Sequence, residues 1–370
     1  VRSAASLSLL KKEDWSNLLN ASGILSEAPL YIDDTPGISP MEIRGKLNGA
    51  GATFPQPFYS ELASQLQSKD NLSVNYQGVG SGAGVAQFTE KTVDFGASDP
   101  PLKPEELSAA KTAGGTDVVQ VPTVLGAITV SYNVSGVEKG LKLDGATVAD
   151  IFSGKITKWN DPKIASANSG VSLPDADITT CHRSDSSGTT KNFTNYLSMY
   201  DSTWEKSIGV DKTVKWPGGT GAKGNDGVAA CVKQNDNSVG YVEQAYALQN
   251  EFTTAAIKNK SGDYIEPSLE ATSAAADGVK VASDNTFDPL DSDNPQAYPI
   301  TATTYLLIWQ DGCKAGQSKD VAANVKSFAS YALGEGQSVA EQLQYAPLPD
   351  AIKQQAQKSV DGLQCDGSSL

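Results

Sequence analysis

The chain has 370 residues, 39% of them hydrophobic, with 34 glycines and 18 prolines, which predicts a soluble α/β protein in two lobes. Its formal net charge of −14 argues against nucleic acid or an anionic membrane as partner, because it offers no basic surface to displace their counterions. No apolar run reaches the roughly 18–20 residues that cross a bilayer.

In chain order, residues 1–45 stand apart as an extra N-terminal segment. Residues 30–37 (LYIDDTPG) and 41–44 (MEIR) resemble the Walker B neighbourhood of the replicative hexameric DNA helicases. The chain has no G-x-x-x-x-G-K-[ST] phosphate cradle, so no helicase function is assigned to it.

From Lys46 the pattern becomes a β/α repeat. Residues 55–67 form an amphipathic helix carrying Phe58, Leu62 and Leu66 at i, i+4 and i+8, with prolines in the first turn. Residues 73–77 and 92–99 read as strands, the latter ending in Asp99, and a further helix starts at Pro104 with acids in its first turn. Two apolar, β-rich runs follow, residues 121–132 and 298–308, each introduced by an X-Pro pair and expected to be buried between helices. If both cross between lobes, residues 46–132 plus 297–370 form lobe I and 133–296 form lobe II, with a hinge and a cleft between them.

Three Gly/Ser/Thr-rich segments lie between a strand-like run and a helix-like run: residues 49–55 (GAGATFP), 80–84 (GSGAG) and 183–189 (RSDSSGT). A helix N-terminus leaves backbone N–H groups unpaired and carries partial positive charge. Three such loops, one with an arginine, predict a tetrahedral oxyanion held between the lobes mainly by neutral dipoles. Thr53 and Ser81 offer hydroxyls, and the amides around Phe54, Gly188 and Thr189 offer N–H groups. Helix capping uses the same donors, so the two roles are not separable at this level. Arg183 is the cation, with Asp185 placed to hold its guanidinium. Asp99 accepts a hydrogen bond from a ligand that keeps a proton, such as hydrogen phosphate, and repels sulfate.

Several of these motifs together resemble the phosphate-binding proteins of high-affinity phosphate ABC transporters, of the periplasmic binding protein family. They are residues 49–55, 74–82 (VNYQGVGSG), 93–99 (VDFGASD), 183–189 and 224–227 (GNDG), extended by 155–161 (KITKWND), 240–243 (GYVE) and 298–301 (YPIT). The match runs colinearly over about residues 46–360. The resemblance implies a type II two-lobed α/β fold with a hinge of two crossing strands. It also implies a monomer at the periplasm or cell surface, exported on a signal not visible in this chain, that passes inorganic phosphate to a membrane permease. By motif it implies Thr53, Phe54, Ser81, Asp99, Arg183, Ser187, Gly188 and Thr189 as phosphate contacts and Asp185 as the residue orienting Arg183, with no cofactor.

Four cysteines lie far apart, and their even number leans towards two disulfides, most simply Cys181–Cys231 and Cys313–Cys365; four buried thiols are the alternative. Two other functions compete. Residues 78–83 fit G-x-G-x-x-A after a strand, as in a dinucleotide-dependent oxidoreductase, and an acidic interaction module would bind no small ligand. Catalysis finds little support: His182 is the only histidine, and His182, Asp185 and Ser187 are too close in sequence for an ordinary triad. The acidic loop at 288–293 lacks the glycine and glutamate of a calcium loop, so no metal is expected.

Overall fold

The computed structural model describes residues 45–370; the helicase-like stretch lies in 1–44, outside the described residues. Strand β1 (Gly45–Gly51) leads through a short loop to helix α1 (Gln56–Asp70), which buries Phe58, Tyr59, Leu62 and Leu66. Strand β2 (Leu72–Gly78), helix α2 (Ser81–Thr89), strand β3 (Phe95–Ser98) and helix α3 (Pro104–Gly114) follow, so the β/α alternation expected from periodicity is present. β1 pairs in parallel with both β2 and β3. Helix α2 lies directly against β1, and Gly84 permits it: a β-carbon there would sit 2.3 Å from Gly51 Cα.

The 16-residue strand β4 (Val118–Asn133) is buried along nearly its whole length, which is why its sequence is continuously apolar rather than alternating. Four longer strands, β5 (Thr179–Arg183), β6 (Thr220–Ala222), β7 (Ser238–Glu243) and β8 (Thr301–Trp309), and a two-residue strand Thr253–Thr254 paired with β4 complete the two sheets. Residues 118–127 of β4 run antiparallel to β8, in a sheet ordered β2-β1-β3-β8-β4. Residues 128–133 of the same strand run antiparallel to β7, in a sheet continuing β4-β7-β5-β6. A single strand thus passes from one sheet to the other.

Just before β8 the chain is tied to the point where β4 changes sheet: Ile128 N–H donates to Ile300 O at 2.8 Å and Tyr298 Oη donates to Ile128 O at 3.2 Å. Pro122 does not introduce β4, as expected from the sequence; it sits inside the strand. The ladder skips one residue there, pairing Thr304 with Val124 and Tyr305 with Pro122. A proline has no N–H for the ladder, and the bulge absorbs the loss.

Helices α4 (Gly188–Tyr200) and α5 (Gly224–Gln234) follow β5 and β6 respectively. Both expected disulfides are present, Cys181–Cys231 tying β5 to α5 and Cys313–Cys365 tying the end of the β8 region to the C-terminal strand pair. The four-thiol alternative is overturned.

Candidate anion-binding site

The three loops meet. The β1–α1 loop brings Thr53 and Phe54, the start of α2 brings Ser81, the end of β3 brings Asp99, and the β5–α4 loop brings Arg183, Asp185, Ser187, Gly188 and Thr189. Thr53, Ser81, Asp99, Arg183, Ser187 and Thr189 are each no more than 4% exposed. Gly82 N–H donates to Ser186 O at 3.0 Å, joining the second loop to the third. A β-carbon on Gly188 would lie 2.3 Å from Ser81 Oγ and 2.5 Å from Asp99 Oδ2, so this position has to be glycine for the two halves to meet as they do.

The hydrogen bonds inside the cluster leave a definite set of groups facing inward. Arg183 gives Nε and Nη2 to the two oxygens of Asp185 at 2.7 and 2.5 Å. That fork-to-fork pairing fixes the plane of the guanidinium and leaves Nη1 buried with no protein partner among the described residues. Burial alone would raise the Asp185 pKa; the hydrogen bonds and charge of Arg183, together with the Gly224 N–H, hold it below the ordinary carboxylate value. Thr189 Oγ1 and Asp99 Oδ1 are likewise buried and without a partner among the described residues. Ser187 Oγ accepts from Thr190 N–H at 3.0 Å as a helix cap, which leaves its own proton to be donated elsewhere. Ser81 Oγ accepts from Asp99 N–H at 3.2 Å and turns its own proton towards Asp99 Oδ2 at 3.5 Å. At the start of α4 the Gly188 and Thr189 amides have no backbone partner among the described residues.

Phe54 enters through its backbone. Tyrosine hydroxyls hold three successive carbonyls: Tyr76 that of Ala52 at 2.7 Å, Tyr246 that of Thr53 at 2.5 Å and Tyr345 that of Phe54 at 2.6 Å. In a trans peptide the N–H points opposite to the preceding C=O. With the Thr53 carbonyl on Tyr246, the Phe54 N–H is aimed the other way. The Phe54 ring itself packs in the core, 6.1 Å from the Tyr345 ring.

Asp99 places a carboxylate among these donors, and burial pushes its pKa up to about 7, against the pull of the Thr304 hydroxyl, Arg183 and the Ser81 hydroxyl. His182, beside Arg183 in β5, stacks on Trp216 with ring centroids 5.0 Å apart, on the side away from the cluster as strand alternation requires.

The sequence pattern missed the supporting shell. Tyr241 Oη accepts from Arg183 N–H at 3.1 Å and pairs with Thr190 Oγ1 at 2.6 Å. Asn225 bonds to Thr53. Lys212 and Glu106 pair at 2.6 Å and Lys103 and Asp211 at 2.7 Å, linking the start of α3 to the segment before β6. Asn225 lay inside the quoted motif at 224–227, the one signal that could have drawn attention to it.

Residues 39–335 match the model of the PBP superfamily domain. The phosphate-binding protein PstS of Pasteurella multocida is 40% identical over 329 residues, covering 88% of this chain and 93% of the relative. The PstS of Methanocaldococcus jannaschii is 37% identical, covering 78% of each. The chain belongs to the PstS family of phosphate-binding proteins. Among solved structures, a high-affinity periplasmic phosphate-binding protein (PfluDING) with phosphate bound is 25% identical with a TM-score of 0.69, over 86% of this chain and 99% of that one. A phosphate-binding protein from Stenotrophomonas maltophilia, 23% identical with a TM-score of 0.62 over 85% and 93%, shares the fold.

The two-lobed type II fold expected from the motifs is therefore the fold of this PstS-family chain. The dinucleotide reading of residues 78–83 finds no support. In this PstS-family fold the glycine loop packs against the third loop: β-carbons on Gly80 and Gly82 would meet Asp185 Oδ2 at 2.6 Å and Ser186 Oγ at 1.9 Å. The Gly80 and Gly82 amides, which would have to help cradle a pyrophosphate, already donate to Gly51 O at 2.9 Å and Ser186 O at 3.0 Å.

Proposed function

We propose that this protein binds hydrogen phosphate between its lobes and delivers it to the permease of an ABC importer, working as a monomer in the periplasm or at the cell surface. The observation that carries the reading is that Arg183 Nη1, Thr189 Oγ1 and Asp99 Oδ1, on loops that pack together where Gly188 comes up against Asp99, are buried polar atoms without protein partners among the described residues. Buried polar groups left unpaired cost free energy, and an anion bearing one proton pairs all three. Thr53, Phe54, Ser81, Arg183, Ser187, Gly188 and Thr189 donate; Asp99 accepts the ligand's proton.

Sulfate, having no proton at neutral pH, meets Asp99 as a like charge, which is the basis proposed for selectivity. Lobe I comprises residues 46–132 and 297–370 and lobe II residues 133–296, with β4 as the strand between them, changing sheet at residues 127–128. The role is binding rather than catalysis, in keeping with relatives named as binding proteins; no phosphate is expected to be released from a chromogenic ester.

Thermal unfolding tests the reading. Phosphate at a thousand times its Kd stabilises the native state by about 4 kcal/mol, which for a protein of this size raises Tm by on the order of 10 °C. An equal rise with sulfate, or none with phosphate, rejects the proposal.

A further inference from the structure

Asn225 opens α5 and is wholly buried. Its backbone N–H and its Nδ2 both donate to Thr53 Oγ1, at 3.2 and 2.9 Å. Its Oδ1 accepts from Glu243 N–H at 3.0 Å. A backbone amide only donates, so the atom facing Glu243 has to be the oxygen, and the NH2 has to face Thr53. The side chain has one possible orientation.

A hydroxyl has two acceptor lone pairs and one proton. Both lone pairs of Thr53 Oγ1 are engaged by groups of Asn225 that donate. The hydroxyl proton is then left over and points away from Asn225, and Thr53 donates it to no group among the described residues. We propose that Asn225 is a positioning residue that turns Thr53 into an obligate donor towards the bound anion.

The consequence is an orientation for the ligand. An oxygen that carries a proton is unwelcome at Thr53, whose own proton already occupies the space between the two oxygens. The bare oxygens of hydrogen phosphate go to Thr53 and the other hydroxyls, and the protonated one goes to Asp99. Thr53 and Asn225 belong to segments 172 residues apart, so the device is assembled only when the two halves come together. This inference rests on the phosphate reading above.

The test is a double-mutant cycle on the full chain, with phosphate Kd measured by titration calorimetry. Asn225→Asp keeps the acceptor for Glu243 but replaces the Nδ2 donor by an acceptor, so the Thr53 proton turns towards it and away from the ligand. The added negative charge also weakens binding, and Thr53→Val provides the background that reports this charge effect alone. The expected result is a loss of about 100-fold for Asn225→Asp beside Thr53, shrinking to about tenfold beside Thr53→Val, the difference being one charge-assisted hydrogen bond.

Equal losses in the two backgrounds overturn the inference while leaving the phosphate reading intact. Absence of phosphate binding by the unaltered protein overturns both. Should Asn225→Asp melt far below the parent without ligand, Asn225→Ser, which removes the Nδ2 donor without adding charge, is measured in the same two backgrounds. A loss that depends on Thr53 supports the assignment, and one that does not rejects it.

Discussion

Gly188 stands against Asp99 across the line where the two halves of the protein meet: a β-carbon at 188 would lie 2.5 Å from Asp99 Oδ2. Gly188 opens α4, beyond β5, and Asp99 follows β3, so one substitution reports on closure without disturbing either sheet. Gly188→Ala should fold with a ligand-free Tm close to that of the parent. Its phosphate affinity should fall about 10–100-fold, the cost of overpacking a close contact. Calorimetry with parallel melting curves checks this; full affinity in the variant would mean that the halves do not close through this contact.

The Lys212–Glu106 pair holds the same closure from outside the ligand set. Lys212 is 5% exposed, its Nζ lies 2.6 Å from Glu106 Oε1, and its carbonyl accepts from Ser187 N–H at 2.8 Å. Burial makes the pair costly to break, because removing one partner strands the other away from water. Lys212→Met should raise the phosphate dissociation rate about tenfold and leave the association rate within about threefold, as interface changes act mostly on dissociation. The neighbouring Lys103–Asp211 pair is far more exposed, so Lys103→Met should change the rate by less than about threefold. Stopped-flow release into a phosphate trap distinguishes the two.

Asp99 gives closure a pH dependence whose sign follows from its burial. In water a carboxyl of this kind titrates near 3.8, and in the closed protein burial moves it up to about 7. Closing without ligand therefore takes up a proton between those values. The ligand-free closed form is favoured at low pH and loses that support as pH rises through about 7. Small-angle scattering on ligand-free protein should show a more compact molecule at pH 5 than at pH 8. Asp99→Asn, which cannot ionise, should remove the difference, and a pH effect that survives in this variant would assign it to another group.

The parts legible in the sequence were those encoded locally. The loops at 49–55, 80–84 and 183–189 stood out because small residues interrupt a period-2 run just before a period-3.6 run, and both periods belong to a few consecutive residues. The helix through Phe58, Leu62 and Leu66 was readable for the same reason. The place of Pro122 inside β4 was not, since the bulge that accommodates it depends on the register of β8, about 180 residues later. Nor was the role of Asn225, whose target Thr53 lies 172 positions away, or the pairing of Lys212 with Glu106, 106 positions apart. Tyr246 and Tyr345, which aim the Phe54 amide by holding carbonyls, carry no local signature at all. The donors of the site were visible, and the groups that point them were not.

The most direct measurement is calorimetric titration of anion-stripped protein with phosphate and then sulfate at pH 8, repeated with Arg183→Ala. A pairing of Arg183 Nη1, Thr189 Oγ1 and Asp99 Oδ1 with one protonated tetrahedral ion predicts a single phosphate site, no detectable sulfate heat, and a loss of about 100-fold or more in phosphate affinity for the variant. Comparable phosphate and sulfate affinities, or an Arg183→Ala variant that binds phosphate like its parent, would contradict it.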